Sequence, residues 1–462
     1  MIDRIVHFLR SERFRVFASE SWKVCWPMTL IMMFMSVVGL SDIYVAGWFG
    51  KETQAAYGLA FQLFFIFGII GQAISVGLVA VASRQFSAGK ERELRESIDS
   101  GLVIAIATGL TLGVLGLLCS GWLVYSLNVP ASLKGQAHAI VSIYCVGMPF
   151  SYILINTNAV LRACQRITIS LWTMFVVCVL NVILNFALGL HTPLGYRGIA
   201  VATLISTGIG CVINYAAVRR FVAGKVLFSR RAAGRIFAIG WPSGLLQVFF
   251  QFGAMVLFII LGSLPEKSVE TLAAFTNGLR IESMIFLPVF AFNMANAVVV
   301  GNLLGKKEKH QAFLGGIVTA LMGVVVAVAM TLIVIANARL FAGFLSRNET
   351  VIRTTMTYLY ISMLFEPVMA WSVILGGGLN GAGDTKSVML AMACSTWLVR
   401  VPLAYLLGVH YSLGAAAVWW SMNVSILVQS LLITRRYFSR RWIDEADEGK
   451  IDRGSGGILE GG

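Results

Sequence analysis

Charge is scarce in this chain. Only 13% of its 462 residues are Asp, Glu, Lys or Arg, where a soluble domain carries about 25%. With 58% hydrophobic residues and a mean hydropathy of +0.80, this composition excludes a soluble globular protein and reads as a polytopic membrane protein. Motifs that carry chemistry are missing too. No GxxxxGK[ST] loop is present, so nothing cradles a nucleotide phosphate for direct ATP drive. No HExxH or Ser/His/Asp arrangement occurs and the five histidines stand apart, which argues against an integral-membrane enzyme. The seven cysteines (Cys25, Cys119, Cys145, Cys164, Cys178, Cys211 and Cys394) sit singly in apolar stretches. Without CxxC spacing they indicate neither a zinc site nor a disulfide framework, and they read as packing residues. The formal net charge of +14 does not point to nucleic acid, because the basic residues fall in short segments between apolar runs, as membrane topology requires.

What is there begins with Val24–Gly50, 27 residues with a single charge, Asp42. A bilayer needs roughly 20 mostly apolar residues, so this run spans one. If the helix enters near Val24, Asp42 lies about 27 Å along it at 1.5 Å per residue, in the far half of the membrane. A carboxylate facing lipid there costs about 2.5–3.5 kcal/mol. Asp42 is therefore either a helix-end residue at the headgroup level or a proton- or ion-binding carboxylate facing a cavity.

Apolar runs give twelve spans: 24–46, 55–82, 99–125, 137–161, 167–189, 197–217, 238–262, 271–303, 312–338, 354–380, 387–408 and 413–434. With both termini on one side, the loops of that side hold 26 Lys and Arg against 7 opposite. That asymmetry predicts both termini in the cytoplasm of a multi-pass protein of the inner cell membrane. Residues 1–21 are basic and amphipathic, with Ile5, Phe8 and Leu9 at helical spacing; this predicts a short interfacial helix rather than a cleavable signal peptide. The chain then divides into an N-lobe at 22–218, a cytoplasmic linker at 219–237, a C-lobe at 238–434 and a cytoplasmic tail at 435–462, whose end GSGGILEGG reads as an appended linker.

The two lobes repeat. Trp26-Pro27 and Trp241-Pro242 open spans one and seven at an offset of 215, and Gly89-Lys90 and Gly305-Lys306 follow at 216. Pro149 and Pro367 stand 218 apart, and Gly189–Gly195 matches Gly408–Gly414 at 219. A slowly drifting offset is the mark of a duplicated unit. Six spans per repeat give the halves one orientation, about an axis along the membrane normal.

The WP openings, the SDIYVAGWFG close of span one and the GGGLNGAGDTK stretch after span ten resemble the multidrug and toxic compound extrusion (MATE) transporters. The likeness runs from about Trp22 to Thr434. Without a glutamate in span seven, the chain looks closer to the DinF-like or general prokaryotic branch than to the NorM-like one. The resemblance implies twelve helices in two six-helix lobes forming a V, and export of organic cations against H+ or Na+. It also implies a coupling carboxylate in the first helix, which Asp42 matches. In the family a span-five Asn is followed four residues later by Asp; here the pair is Asn181 and Asn185, so the second acid is missing. The span-six Thr matches Thr203. The span-seven Glu falls on or near Gln247, and the span-ten Asp falls near Met369, with Glu366 as a substitute.

The residues can be weighed on their own chemistry. Asn181 and Asn185 share one helix face and can give amide N–H to a carboxylate or amide oxygen to a cation; the plain alternative is helix–helix hydrogen bonding, about 0.6 kcal/mol. One carboxylate among amides and a hydroxyl suits a proton switch better than a Na+ site, so the coupling ion is expected to be H+. In the second lobe Arg280, Glu282, Glu366 and Arg400 lie within spans. Their signs cancel, and cross-helix ion pairing is the expected role, with a substrate or proton role for the acids as the other reading. The 29 Phe and 18 Met include residues suited to greasy cations, through aromatic faces and adaptable thioethers. The expected protein is a secondary antiporter for lipophilic cations. It works as a monomer in the bilayer, without a cofactor beyond the coupling ion and without nucleic acid. A flippase for lipid-linked or amphiphilic substrates is the competing reading; it would call for a cationic cavity.

Overall fold

The computed structural model describes residues 12–126, 130–222, 224–264 and 268–447. Ile5, Phe8 and Leu9 of the predicted interfacial helix, and the GSGGILEGG tail, lie outside them. The described chain is all helical. It runs as α1 (Glu12–Gly47), α2 (Lys51–Ser87), α3 (Glu91–Ser126), α4 (Ala131–Ala163), α5 (Ile167–Leu190), α6 (Tyr196–Val218), α7 (Arg230–Gly262), α8 (Ser268–Gly305) and α9 (Lys309–Ala336). The short α10 (Ala338–Leu345), α11 (Glu349–Met363) and α12 (Glu366–Gly381) follow. Next comes α13 (Thr385–Ala393), continued by a π-helical stretch (Cys394–Arg400), one α turn, α14 (Val401–Ala404), and a second π-helical stretch (Tyr405–His410). The last two elements are α15 (Ala415–Phe438) and α16 (Arg441–Asp447).

Among the described residues, eleven helices are long and apolar enough to cross a membrane, and α11 with α12 makes a twelfth bent by 51°. Span ten, expected as one run over 354–380, is thus broken. The break has a local cause: Pro367 sits in the first turn of α12 and cannot donate a backbone N–H, and the chain closes α11 with a tight Phe365 N–H to Ser362 bond. Its repeat partner Pro149 lies inside an unbroken α4.

The chain forms two compact units, one of residues Leu30–Trp241, the other of the described residues up to Thr29 and from Pro242 on. Both divisions fall inside helices, close to Pro27 and Pro242, where a proline removes an intrahelical hydrogen bond. The stretch 219–237, expected as linker, is helical from Arg230 on. Its extended part is held against α3: Asp99 Oδ2 accepts from the Leu227 amide at 2.9 Å, and Ser100 Oγ accepts from the Ser229 amide at 2.9 Å.

In the Leu30–Trp241 unit the core gathers Val45, Tyr57, Ala60, Val124, Ile140, Tyr144 and Ile199. The Tyr57 hydroxyl donates to the Tyr196 carbonyl at 2.7 Å, tying α2 to the start of α6. In the other unit α8 and α12 meet backbone to backbone, as small residues allow in membranes. A Cβ on Gly377 or Gly381 would stand 2.1 Å from the carbonyl oxygens of Asn293 or Ala297, while Asn293 and Asn296 donate across to Val373 and Ile374 at 2.6 and 2.7 Å. Overpacking of this kind costs about 1–3 kcal/mol or more. Gly377→Ala should therefore lower the melting temperature of the purified protein, measured by scanning fluorimetry, whereas Gly343→Ala, where an added Cβ meets open space, should not.

The GAGDT stretch has a structural use. Gly383 takes φ +84° past the end of α12, and Asp384 then accepts from Ser387 Oγ at 2.6 Å and from Arg436 Nε at 2.6 Å. Arg436 also pairs with Glu445 of α16, whose neighbour Trp442 is fully buried.

Candidate functional site

The charge in span one sits in a closed polar nest within the Leu30–Trp241 unit. Asp42 lies five residues before the end of α1 and is 5% exposed. Asn181 and Asn185, one turn apart on α5, are both fully buried and face it. Asp42 Oδ1 accepts from Asn185 Nδ2 at 2.7 Å and from Asn181 Nδ2 at 3.3 Å. Asp42 Oδ2 accepts from the Thr203 hydroxyl of α6 at 2.9 Å. The amides also bond each other at 3.1 Å, and Asn181 bonds Thr203 at 3.0 Å. All four residues singled out in the first lobe are thus brought together.

Two further members were not foreseen. Ser41, next to Asp42, accepts from Asn185 Nδ2 at 3.0 Å, and the buried Tyr144 of α4 sets its phenol against the carboxylate. Every group around Asp42 is neutral, and no Lys or Arg pairs with it among the described residues. A buried charge needs a partner, and the described residues around this carboxylate offer it only neutral hydrogen-bond donors. The Asn185 Oδ1, buried and without a protein donor, is a further acceptor beside it. No group of three or more His, Cys, Asp or Glu suited to a metal ion occurs among the described residues.

The second-lobe residues behave differently from expectation. Glu282 and Glu366 are 4% and 3% exposed and interact with each other, as do Glu282 and Arg400. Tyr358 and Ser362 of α11 stand beside Glu282. Arg400 nevertheless makes no direct ion pair among the described residues: its Nε donates to Ser425 Oγ at 2.8 Å, and its charge acts on Glu282 through the low-dielectric interior. The repeat explains its place, because the offset of 219 puts Arg400 opposite Asn181 and Ser425 opposite Ser206. Arg280 corrects the expected neutralisation. It is exposed and pairs with no carboxylate among the described residues. Gln247, on α7, is half-buried.

Comparison with known proteins agrees with this architecture. The MatE family profile matches residues 27–187 and 242–406. A relative from Bradyrhizobium diazoefficiens, described as probable multidrug resistance protein NorM, is 25% identical over 442 residues, covering 90% of this chain and 92% of its own. A protein of the same description from Thermotoga maritima is 23% identical over 449 residues, covering 94% and 95%. Among solved structures, a MOP superfamily transporter from Pyrococcus furiosus superposes with a TM-score of 0.83 at 18% identity, over 95% of this chain and 99% of that one. The chain has the fold of these transporters, and with the profile matching both of its halves it belongs to the MatE family of multidrug and toxic compound extrusion proteins, which are transporters and not enzymes.

Proposed function

We propose that this protein is a secondary antiporter of the inner cell membrane that exports lipophilic organic cations in exchange for H+ by alternating access. What carries the reading is Asp42: a buried carboxylate held by two amides, a hydroxyl and a phenol, with no cation beside it. The multidrug descriptions of the relatives point to the same class of cargo. In the state open to the outside, Asp42 takes a proton and releases its cation. In the state open to the cytoplasm, the proton leaves and the next cation is attracted. Competition for one negative charge couples the two fluxes, and reciprocity of linkage requires each ligand to weaken the other equally.

A Na+ ion gathers several hard oxygens, commonly with an acid that stays ionised. This nest has one carboxylate, and an amide stands at Asn185 where the family has a second acid, so H+ is the coupling ion. The site is formed by residues of one chain, which fits a monomer, and the 26-to-7 split of basic residues supports a cytoplasmic position for both termini. The test is accumulation of a fluorescent lipophilic cation in proteoliposomes, with ΔpH and a Na+ gradient imposed one at a time. Accumulation that follows ΔpH is expected; accumulation that follows Na+ and ignores ΔpH overturns the assignment.

A further inference from the structure

Where the first turns of α1 meet the turn from α8 into α9, the chain leaves a cleft of about 810 Å³. Small-ligand sites in proteins occupy about 300–1,000 Å³. The cleft lies within the unit of described residues up to Thr29 and from Pro242 on. Two contacts fix α1 against α9 beside it. The buried hydroxyls of Ser21 and Thr319 meet at 2.9 Å, and Phe17 packs beside Gly315, where an added Cβ would stand 3.9 Å from its ring. At 1.5 Å per residue, Glu20 lies about 6 Å before the first apolar run and Lys309 about 5 Å before the ninth. The headgroup layer adds about 5–7 Å to each side of the hydrocarbon, so the cleft stands at its level.

Its lining carries both signs of charge. Lys307, Lys309 and His310 stand there with Glu20 and Glu308. Lys309 Nζ is also 3.7 Å from Asp444 Oδ1 of α16, an exposed pair worth little. A purely anionic ligand would leave the two glutamates unmatched, and a simple cation would leave the lysines so. A ligand with a phosphate and an ammonium answers both. Beside the charges are the apolar Leu314 and Val16, the latter 52% exposed, surface on which an acyl chain can lie.

We propose that this cleft seats the headgroup of an aminophospholipid with the chemistry of phosphatidylethanolamine. The phosphate accepts from Lys307, Lys309 and His310, and the primary ammonium donates to Glu20 and Glu308. An ammonium carries three N–H donors and no acceptor, and hydrogen bonds between ionised partners are the strong ones. A choline headgroup has the same charges but no N–H to give; a glycerol headgroup has the phosphate without the cation. The inference stands independently of the antiport reading at Asp42.

The experiment titrates purified full-length protein with phosphatidylethanolamine, phosphatidylcholine and phosphatidylglycerol of identical acyl chains, and reads the affinity of the first bound lipid by native mass spectrometry. Wild-type protein is expected to prefer phosphatidylethanolamine about fivefold or more, the upper end for an exposed ion pair. Glu20→Gln should remove that preference by weakening phosphatidylethanolamine and not phosphatidylglycerol, whereas Lys307→Gln should weaken both about fivefold. Lys386→Gln, an exposed basic residue outside the cleft, should change neither. Soluble glycerophosphoethanolamine should bind at least a hundredfold more weakly than the lipid, because each buried CH2 contributes about 0.8 kcal/mol. Equal affinity for the three lipids in the wild type, or a preference that survives both cleft variants, overturns the proposal. Glycerophosphoethanolamine binding as tightly as the lipid overturns it too, by assigning the cleft to a free phosphate ester.

Discussion

Asp42→Asn should abolish ΔpH-driven export while leaving folded yield close to wild type. Asparagine has nearly the same shape, and removing an unpaired charge from a buried nest relieves desolvation rather than adding to it. The nest keeps its amides and hydroxyls, so α1, α5 and α6 remain joined. What is lost is the single negative charge for which, in the proposed mechanism, proton and substrate compete. A fall in coupled transport of at least about a hundredfold is expected, the upper range of coupling between two binding events. The measurement is efflux from cells and ΔpH-driven uptake in proteoliposomes, normalised to monodisperse protein. Wild-type efflux in the asparagine variant would contradict the assignment of Asp42.

Arg400→Ala should act in the opposite manner, mainly on folding. It leaves Glu282 and Glu366 buried together without the cation that acts on Glu282, and stranding a buried charge costs up to about 3–5 kcal/mol, the figure for a directly paired one. That is a large part of the roughly 5–15 kcal/mol by which a folded domain is stable. Yield of monodisperse protein should drop several-fold and the melting temperature with it. Arg400→Lys should keep most of both. The double variant Arg400→Ala with Glu282→Gln should recover part of the loss, because it removes the stranded charge. If Arg400→Ala folds normally and transport alone is lost, the second-lobe charges serve coupling instead.

The first-lobe site was legible in the sequence for a physical reason. A lone carboxylate in an apolar run of 27 residues is expensive unless partnered, and two asparagines four apart on one helix can only face one direction. Ser41 and Tyr144 were not legible. Tyr144 is one of 12 tyrosines, and periodicity alone cannot separate a phenol turned to Asp42 from one turned to the core, such as Tyr152, which donates to the Phe67 carbonyl.

The second lobe shows where charge counting falls short. Two positive and two negative residues do cancel on paper, but Arg280 and Glu282 stand on nearly opposite sides of α8, and burial of one exposes the other. The repeat predicted corresponding prolines in spans four and ten. It did not reveal that Pro149 would be carried within a continuous helix while Pro367 would begin a new one. The stretch 219–237 misled because its six basic residues mask a helix that is already formed at Arg230 and whose apolar run starts only later.

Proton release on substrate binding tests the competition for Asp42 most directly. Purified protein in a weakly buffered detergent solution is mixed with a saturating permanent cation such as tetraphenylphosphonium, and released protons are followed with a pH indicator from the acidic to the neutral range. Wild-type protein should release about one proton per bound cation at the most favourable pH, as one shared carboxylate requires by linkage, and Asp42→Asn should release none. Cation binding without proton release at any pH in the wild type, or equal release from the asparagine variant, would contradict the account.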